Sequence, residues 1–125
     1  MKILIIDDDV RIRELVRMWL EREGDEVFEA ENGKKGLEAH LSSPAELVIC
    51  DLIMPVQEGI ETITHFRDHF PNVGLIAISG GGKIGPDSYL AVAEQLGAWK
   101  VFTKPLDMPS LIKAVREWRV PENTD

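Results

Sequence analysis

Six side chains able to do chemistry stand just past short stretches of strand type in this chain. Asp7, Asp8 and Asp9 follow Ile3–Ile6, Asp51 follows Leu47–Cys50, Ser79 follows Val73–Ile78, and Lys104 follows Lys100–Thr103. Carboxylates converging on one pocket repel one another, and a cation among them relieves the cost. Oxygen-only ligands point to a hard ion, and Mg²⁺ suits a site built from few carboxylates plus waters and phosphate oxygens. Lys104 adds a mobile positive charge that can pair with Asp51 or with a phosphate oxygen. Ser79 adds a neutral hydroxyl donor. Taken singly, each has an ordinary reading: three acids after a strand suit a helix N-terminus, with Asp9 as its cap, and Asp51 before Leu-Ile-Met-Pro suits a turn. Their joint arrival at strand ends is what carries weight.

The elements that must position them alternate five times between short apolar runs and stretches of helical period. Ile3–Ile6 reads as a buried strand. Ile12, Leu15, Val16, Trp19 and Leu20 then recur at helical spacing until Gly24 offers a stop. Glu26–Ala30 is the second strand and Gly33–Leu41 the second helix. Leu47–Cys50 is the third strand, followed past Pro55 by a helix carrying Ile60, Ile63 and Phe66 that Pro71 ends. After Val73–Ile78 a glycine-rich loop, Gly80–Gly85, leads through Pro86 into a helix with Leu90, Ala93 and Leu96. Lys100–Thr103 is the fifth strand, and Asp107 is placed to cap a last helix with Leu111, Ile112, Val115 and Trp118 on one face. Five β-then-α units with near-continuously apolar strands predict a parallel sheet covered by helices on both faces, a doubly wound α/β fold in three layers. In such sheets ligands bind beyond the carboxyl ends of the strands, where all six residues stand.

Length and composition agree with a single domain spanning residues 1–120, with 121–125 as a frayed tail. The apolar fraction of 44% and charged fraction of 29% are ordinary for a globular chain. Twenty-two acids against 14 bases give a net charge of -8, which repels nucleic acid. No apolar run approaches the roughly 20 residues that cross a bilayer, and the short stretch after Met1-Lys2 is no signal peptide, so a cytoplasmic location without membrane insertion is expected. The single cysteine, Cys50, lies in an apolar run and reads as core.

Asp7-Asp8-Asp9 after hydrophobics, Asp51-Leu-Ile-Met-Pro followed by Gly59, Ser79-Gly80 and Lys104-Pro105 together resemble the receiver domains of two-component response regulators, of the chemotaxis-regulator-like type. The resemblance runs from Lys2 to about Trp118. It implies a flavodoxin-like sheet of order 2-1-3-4-5 and a phosphorylation-controlled switch rather than a turnover enzyme. It implies that Asp51 is the phosphoacceptor, Asp8 a direct Mg²⁺ ligand, Asp7 a ligand through water, and the Ile53 backbone carbonyl a further ligand, with Mn²⁺ able to replace Mg²⁺. The phosphoryl group would come from a sensor histidine kinase, a histidine phosphotransfer protein or a small donor such as acetyl phosphate. Lys104 would neutralise charge on the transferring group. Ser79 would turn inward to the aspartyl phosphate and repack the face made by the fourth helix, fifth strand and fifth helix, where a downstream protein binds. The family also implies a cis bond at Lys104-Pro105. No output domain follows the fifth helix, so a stand-alone protein acting through a partner is expected, unless the chain is a fragment.

Three positions depart from the family's pattern. Val101 stands where a switch aromatic is common, with Phe102 and Trp99 as neighbours that could substitute. Gly80 replaces a frequent alanine and leaves the site open. Ile53 replaces a polar residue and is expected to hinder the hydrolytic water.

Other signals point elsewhere and are weaker. Gly80–Gly85 matches GxGxxG, but it follows the fourth strand and no ribose-binding acid ends the next one. A Walker loop fails, since Lys83 precedes Ile84 and Ala77 occupies the first glycine position. His65 and His69 faintly suggest a zinc helix without a third ligand; histidines near a helix C-terminus complement its dipole. Asp7 and Asp9 form the D-x-D of haloacid-dehalogenase-type phosphatases, with Arg11 in place of the expected Thr or Val. A receiver fold serving only as a non-phosphorylated interaction module is the other alternative.

Overall fold

The computed structural model describes residues 1–52, 56–80, 91 and 94–118. Five strands, β1 (Lys2–Ile6), β2 (Glu26–Ala30), β3 (Leu47–Asp51), β4 (Gly74–Ser79) and β5 (Lys100–Thr103), form one parallel sheet of order β2-β1-β3-β4-β5. The described helices are α1 (Val10–Arg22), α2 (Gly33–Ser42), α3 (Val56–His69) and α4 (Met108–Glu117). This is the doubly wound, flavodoxin-like architecture expected. The helix anticipated after the glycine loop, and Gly81–Gly85 themselves, lie outside or largely outside the described residues, as do Ile53, Pro55 and the tail.

Local chemistry explains the boundaries. Asp9 caps α1, its side chain accepting from the Arg11 N–H, and Gly24 ends the turn after that helix at φ +94°. Asn32 caps α2 in the same way, and Asp107 caps α4, with Pro109 in the first turn where its missing N–H costs nothing.

Strand alternation divides the core between the two sheet faces. Ile3, Ile5, Leu47, Ile49, Ile76 and Ile78 pack with α1 and α4, whereas Leu4, Ile6, Val48, Cys50, Leu75 and Ala77 pack with Ile63 and Phe66 of α3. β3 and β4 are buried along their whole length, as a central parallel pair must be. Cys50 is fully buried, and burial first, then the neighbouring Asp51 and Asp7 charges, push its thiol well above the usual range. It is a core residue, as expected.

One close approach bears on function. A Cβ on Gly59 would stand 2.6 Å from the Asp51 carbonyl oxygen and from Leu52 Cα, so α3 rests directly on the backbone that ends β3.

Candidate functional site

The ladder continues one residue past the strands and fixes their carboxyl ends relative to one another. Asp7 N–H donates to the Ala30 carbonyl (3.1 Å), Leu52 N–H to Ile78 (2.8 Å) and Lys104 N–H to Ser79 (2.9 Å). Register pairs Asp51 with Ile78 and Ser79 with Thr103, so Asp7, Asp51, Ser79 and Lys104 stand together at one end of the sheet.

Lys104 Nζ lies 3.1 Å from Asp51 Oδ2, to which it donates, and 3.1 Å from Asp7 Oδ2, an ion-pair contact without hydrogen-bond alignment. Both carboxyl groups are almost wholly buried, at 1% for Asp7 and 4% for Asp51. Burial pushes the Asp7 carboxyl up to about 6; the Asp9 N–H, donating to Oδ1 at 2.8 Å, opposes this, Asp51 adds to it and Lys104 opposes it. Burial pulls Lys104 down, yet Asp51 and Asp7 together carry it above its ordinary value. Carboxylate oxygens of Asp7, Asp8 and Asp51 lie within 4.8 Å of one another, and Asp8 is exposed. Three carboxylates against one ammonium leave an excess of two negative charges on hard oxygen donors, which matches a divalent cation of the Mg²⁺ type.

The Ser79 hydroxyl is fully buried and has no hydrogen-bond partner among the described residues. A buried hydroxyl left unpaired costs free energy, which an acceptor brought within reach would recover. Gly80 leaves the approach open: a Cβ there would meet only Lys104 Cδ, at 3.5 Å. The Lys104-Pro105 bond is cis.

The departures are also located. Val101 packs against the core cluster of one sheet face, which includes Leu75 and Ala77, whereas Phe102 packs against the cluster on the opposite face. Phe102 therefore does not occupy the side where a switch aromatic at position 101 would lie. Trp99 donates its indole N–H to the Ala114 carbonyl of α4 at 3.3 Å. The rings of His65 and His69 stack at 4.1 Å, with His69 Nδ1 against the His65 carbonyl, and they belong to no three-ligand group among the described residues.

A set of contacts behind the acids escapes a strand-end reading. Arg13 on α1 donates from Nη1 to the Asp7 carbonyl (2.7 Å) and from Nε to Glu29 Oε1 (3.0 Å), while Arg17 Nη1 donates to Glu29 Oε2 (2.7 Å). Hydrogen bonds from Arg17, and then from Arg13, hold the Glu29 carboxyl below its usual range against partial burial. The signal available in the sequence was two arginines at i, i+4 on the helix that leaves the acids; the missing piece was the register of β2 on β1, Glu29 opposite Ile5, that brings Glu29 beneath them.

A doubly wound sheet of this order with acids, a hydroxyl and a lysine at its carboxyl end defines a receiver, and the family model described as response regulator receiver domain matches residues 3–116. The chain belongs to that family, whose members are phosphorylation-dependent switches of two-component signalling, phosphorylated by histidine kinases or phosphotransfer proteins, and are not turnover enzymes. Receivers bind Mg²⁺ through acidic residues. The chain is similar to the chemotaxis protein CheY of Halobacterium salinarum, at 30% identity over 116 residues, covering 93% of this chain and 94% of that protein. It is 45% identical over 67 residues to the transcriptional regulatory protein ResD of Bacillus subtilis, a match covering 54% of this chain and only 28% of ResD. The receiver domain of NtrX from Brucella abortus superposes with a TM-score of 0.80 at 28% identity, covering 93% of this chain and 99% of that one. Family membership removes the support for a haloacid-dehalogenase phosphatase. Among the described residues no helix is long and apolar enough to cross a membrane.

Proposed function

We propose that Asp51 accepts the phosphoryl group. The observation that carries this is the convergence of Lys104 on Asp51 and Asp7 beside an unpaired, buried Ser79 hydroxyl. One Asp51 oxygen attacks phosphorus, a P–O bond forms, and the P–N bond to the donor imidazole breaks, the leaving imidazole keeping the bond's electron pair and taking a proton. Lys104, already beside Asp51, balances charge on the transferring oxygens, and Ser79 donates its hydroxyl hydrogen to the product. Asp8 and Asp51 would hold Mg²⁺ directly and Asp7 through water, with the Ile53 carbonyl, outside the described residues, as a further ligand; Mn²⁺ has the same oxygen preference. When bound, the ion supplies positive charge to the phosphoryl oxygens.

The receiver unit spans residues 1–120, with 121–125 as a tail, and works in the cytoplasm. The donor is a sensor histidine kinase or histidine phosphotransfer protein, and self-phosphorylation from acetyl phosphate follows the same chemistry. Output passes to a downstream protein through the face of the helix expected after the glycine loop, β5 and α4. In support, a cleft of about 280 Å³ separates β5 from α4, lined by Lys100, Phe102, Ser110, Lys113 and Glu117 among others. Gly80 and Val101 tune this response: Gly80 keeps the site open, and Val101 removes the rotating ring from the readout. Pro105 holds the chain after Lys104.

Incubation with Mg²⁺ and acetyl phosphate, followed by mass mapping of the labile adduct, tests the assignment. Modification of Asp51, lost in Asp51→Asn, is expected. Modification at Asp7 overturns it, and no modification with either acetyl phosphate or a phosphorylated phosphotransfer protein leaves the non-phosphorylated module as the better reading.

A further inference from the structure

Asp7 and Asp8 sit on the loop between β1 and α1, and one side chain from α1 reaches back to hold that loop. Arg13 spends its guanidinium on two groups at once, the Asp7 main-chain carbonyl at 2.7 Å and the Glu29 carboxylate at 3.0 Å. Glu29 is in turn fixed from its other oxygen by Arg17 at 2.7 Å. The planar fork of arginine suits such a two-ended contact, and lysine, with a single nitrogen, reaches only one end. The Arg13 side chain is only 15% exposed, so this bridge is not a loosely solvated surface pair. The same loop is braced internally by the Asp9 N–H on Asp7 Oδ1.

We propose that Arg13 is a positioning residue for the cation site, anchoring the Asp7 backbone to β2 through Glu29 so that the Asp7 and Asp8 carboxylates face Asp51. This inference rests on the assignment of those acids as the Mg²⁺ ligands. Groups behind a ligand fix its orientation and influence affinity nearly as strongly as some ligands do.

Charge alone and positioning predict opposite signs, which makes the idea testable. Arg13 is a cation next to a cation site, so its removal by simple electrostatics tightens Mg²⁺ binding. Loss of positioning weakens it. The experiment is calorimetric titration of the unphosphorylated protein with MgCl₂, together with hydrogen-exchange protection of the Asp9 amide.

Arg13→Gln is expected to weaken Mg²⁺ roughly tenfold and to speed Asp9 exchange. Arg13→Lys, which keeps the charge and the fold but loses the fork, is expected to weaken it in the same direction. Arg22→Gln removes the same charge from the exposed far end of the same helix, away from the Arg13–Glu29 bridge, and its affinity is expected to stay within about twofold of wild type. Unchanged or tighter Mg²⁺ binding in Arg13→Gln, or equal weakening in Arg22→Gln, overturns the proposal. If Arg13→Gln does not fold, Arg13→Lys and Glu29→Gln carry the same test. A wild type that binds no Mg²⁺ removes the ligand assignment itself, whereas normal wild-type binding with a silent Arg13→Gln removes only the role of Arg13.

Discussion

Replacing Asp7 with asparagine should stabilise the metal-free protein at neutral pH. The carboxyl is almost wholly buried and titrates near 6 in the fold, against 3.8 in the unfolded chain. A raised carboxyl pKa means that between about pH 4 and 6 the native state keeps a proton that the unfolded state has lost. The contribution of Asp7 to stability therefore falls as pH rises through that window, and above it the full penalty is present. At about 1.4 kcal/mol per pKa unit, a shift of this size corresponds to about 2–3 kcal/mol at pH 7. His40, buried and held below its usual pKa by burial, works with the opposite sign: its stability is present above the unfolded histidine value and is lost as pH falls. A wild-type curve alone mixes the two, so the informative quantity is the wild-type minus Asp7→Asn difference. Urea unfolding in EDTA at intervals from pH 4.5 to 7.5 supplies it. The variant's advantage should grow with pH by about 2 kcal/mol, and saturating Mg²⁺ should stabilise the wild type more at pH 7 than at pH 5. A difference curve flat to within about 0.5 kcal/mol would refute the reasoning, because it would mean that Lys104 already compensates the buried charge.

Ser79→Ala should raise the stability of the unphosphorylated protein by about 1 kcal/mol in urea unfolding, since it deletes an unpaired buried hydroxyl, while lowering the stability gained on phosphorylation. Gly59→Ala should cost about 1–3 kcal/mol despite the better helix propensity of alanine, because the new methyl meets main-chain atoms at 2.6 Å; a rise in thermal midpoint would contradict the observed packing. Ile53→Asn should shorten the lifetime of the phosphoryl group by admitting water, read by loss of label after gel filtration, and an unchanged lifetime ends the idea.

The architecture was legible because its physics is local and repetitive. Continuous apolar runs such as Leu47–Cys50 announce strands buried on both faces, and Asp9 and Asp107 announce the helices they cap. Boundaries differ by single residues: β3 takes in Asp51, and β4 runs Gly74–Ser79 rather than Val73–Ile78, because hydrogen bonding to a neighbouring strand, not hydrophobicity, ends a strand. At the site, the meeting of Asp7, Asp51, Ser79 and Lys104 followed from their common position after strands. What did not follow was any contact set by register between distant segments. Lys104 touching Asp7 as well as Asp51, the Arg13–Glu29–Arg17 bridge, and the Glu58 carboxylate accepting from the Gly33 N–H at 2.7 Å all depend on register and on how far side chains reach between neighbouring elements. The opposite placement of Val101 and Phe102 is readable from strand alternation, so adjacency along the chain does not let Phe102 stand in for a ring at position 101.

The unpaired hydroxyl of Ser79 also bears on how this protein can be engineered. At the opposite end of the sheet the buried Asp25 is paired with both Arg116 and the N-terminal ammonium. At the carboxyl end a crowded acid pair stands close to a buried hydroxyl that has no hydrogen-bond partner among the described residues. A search that rewards heat resistance alone would accept Asp7→Asn and Ser79→Ala early, and under the roles proposed for these residues each such gain would come at the expense of responsiveness. Libraries aimed at a hardier switch should therefore hold these two positions constant and draw their variation from the amino-terminal end of the sheet.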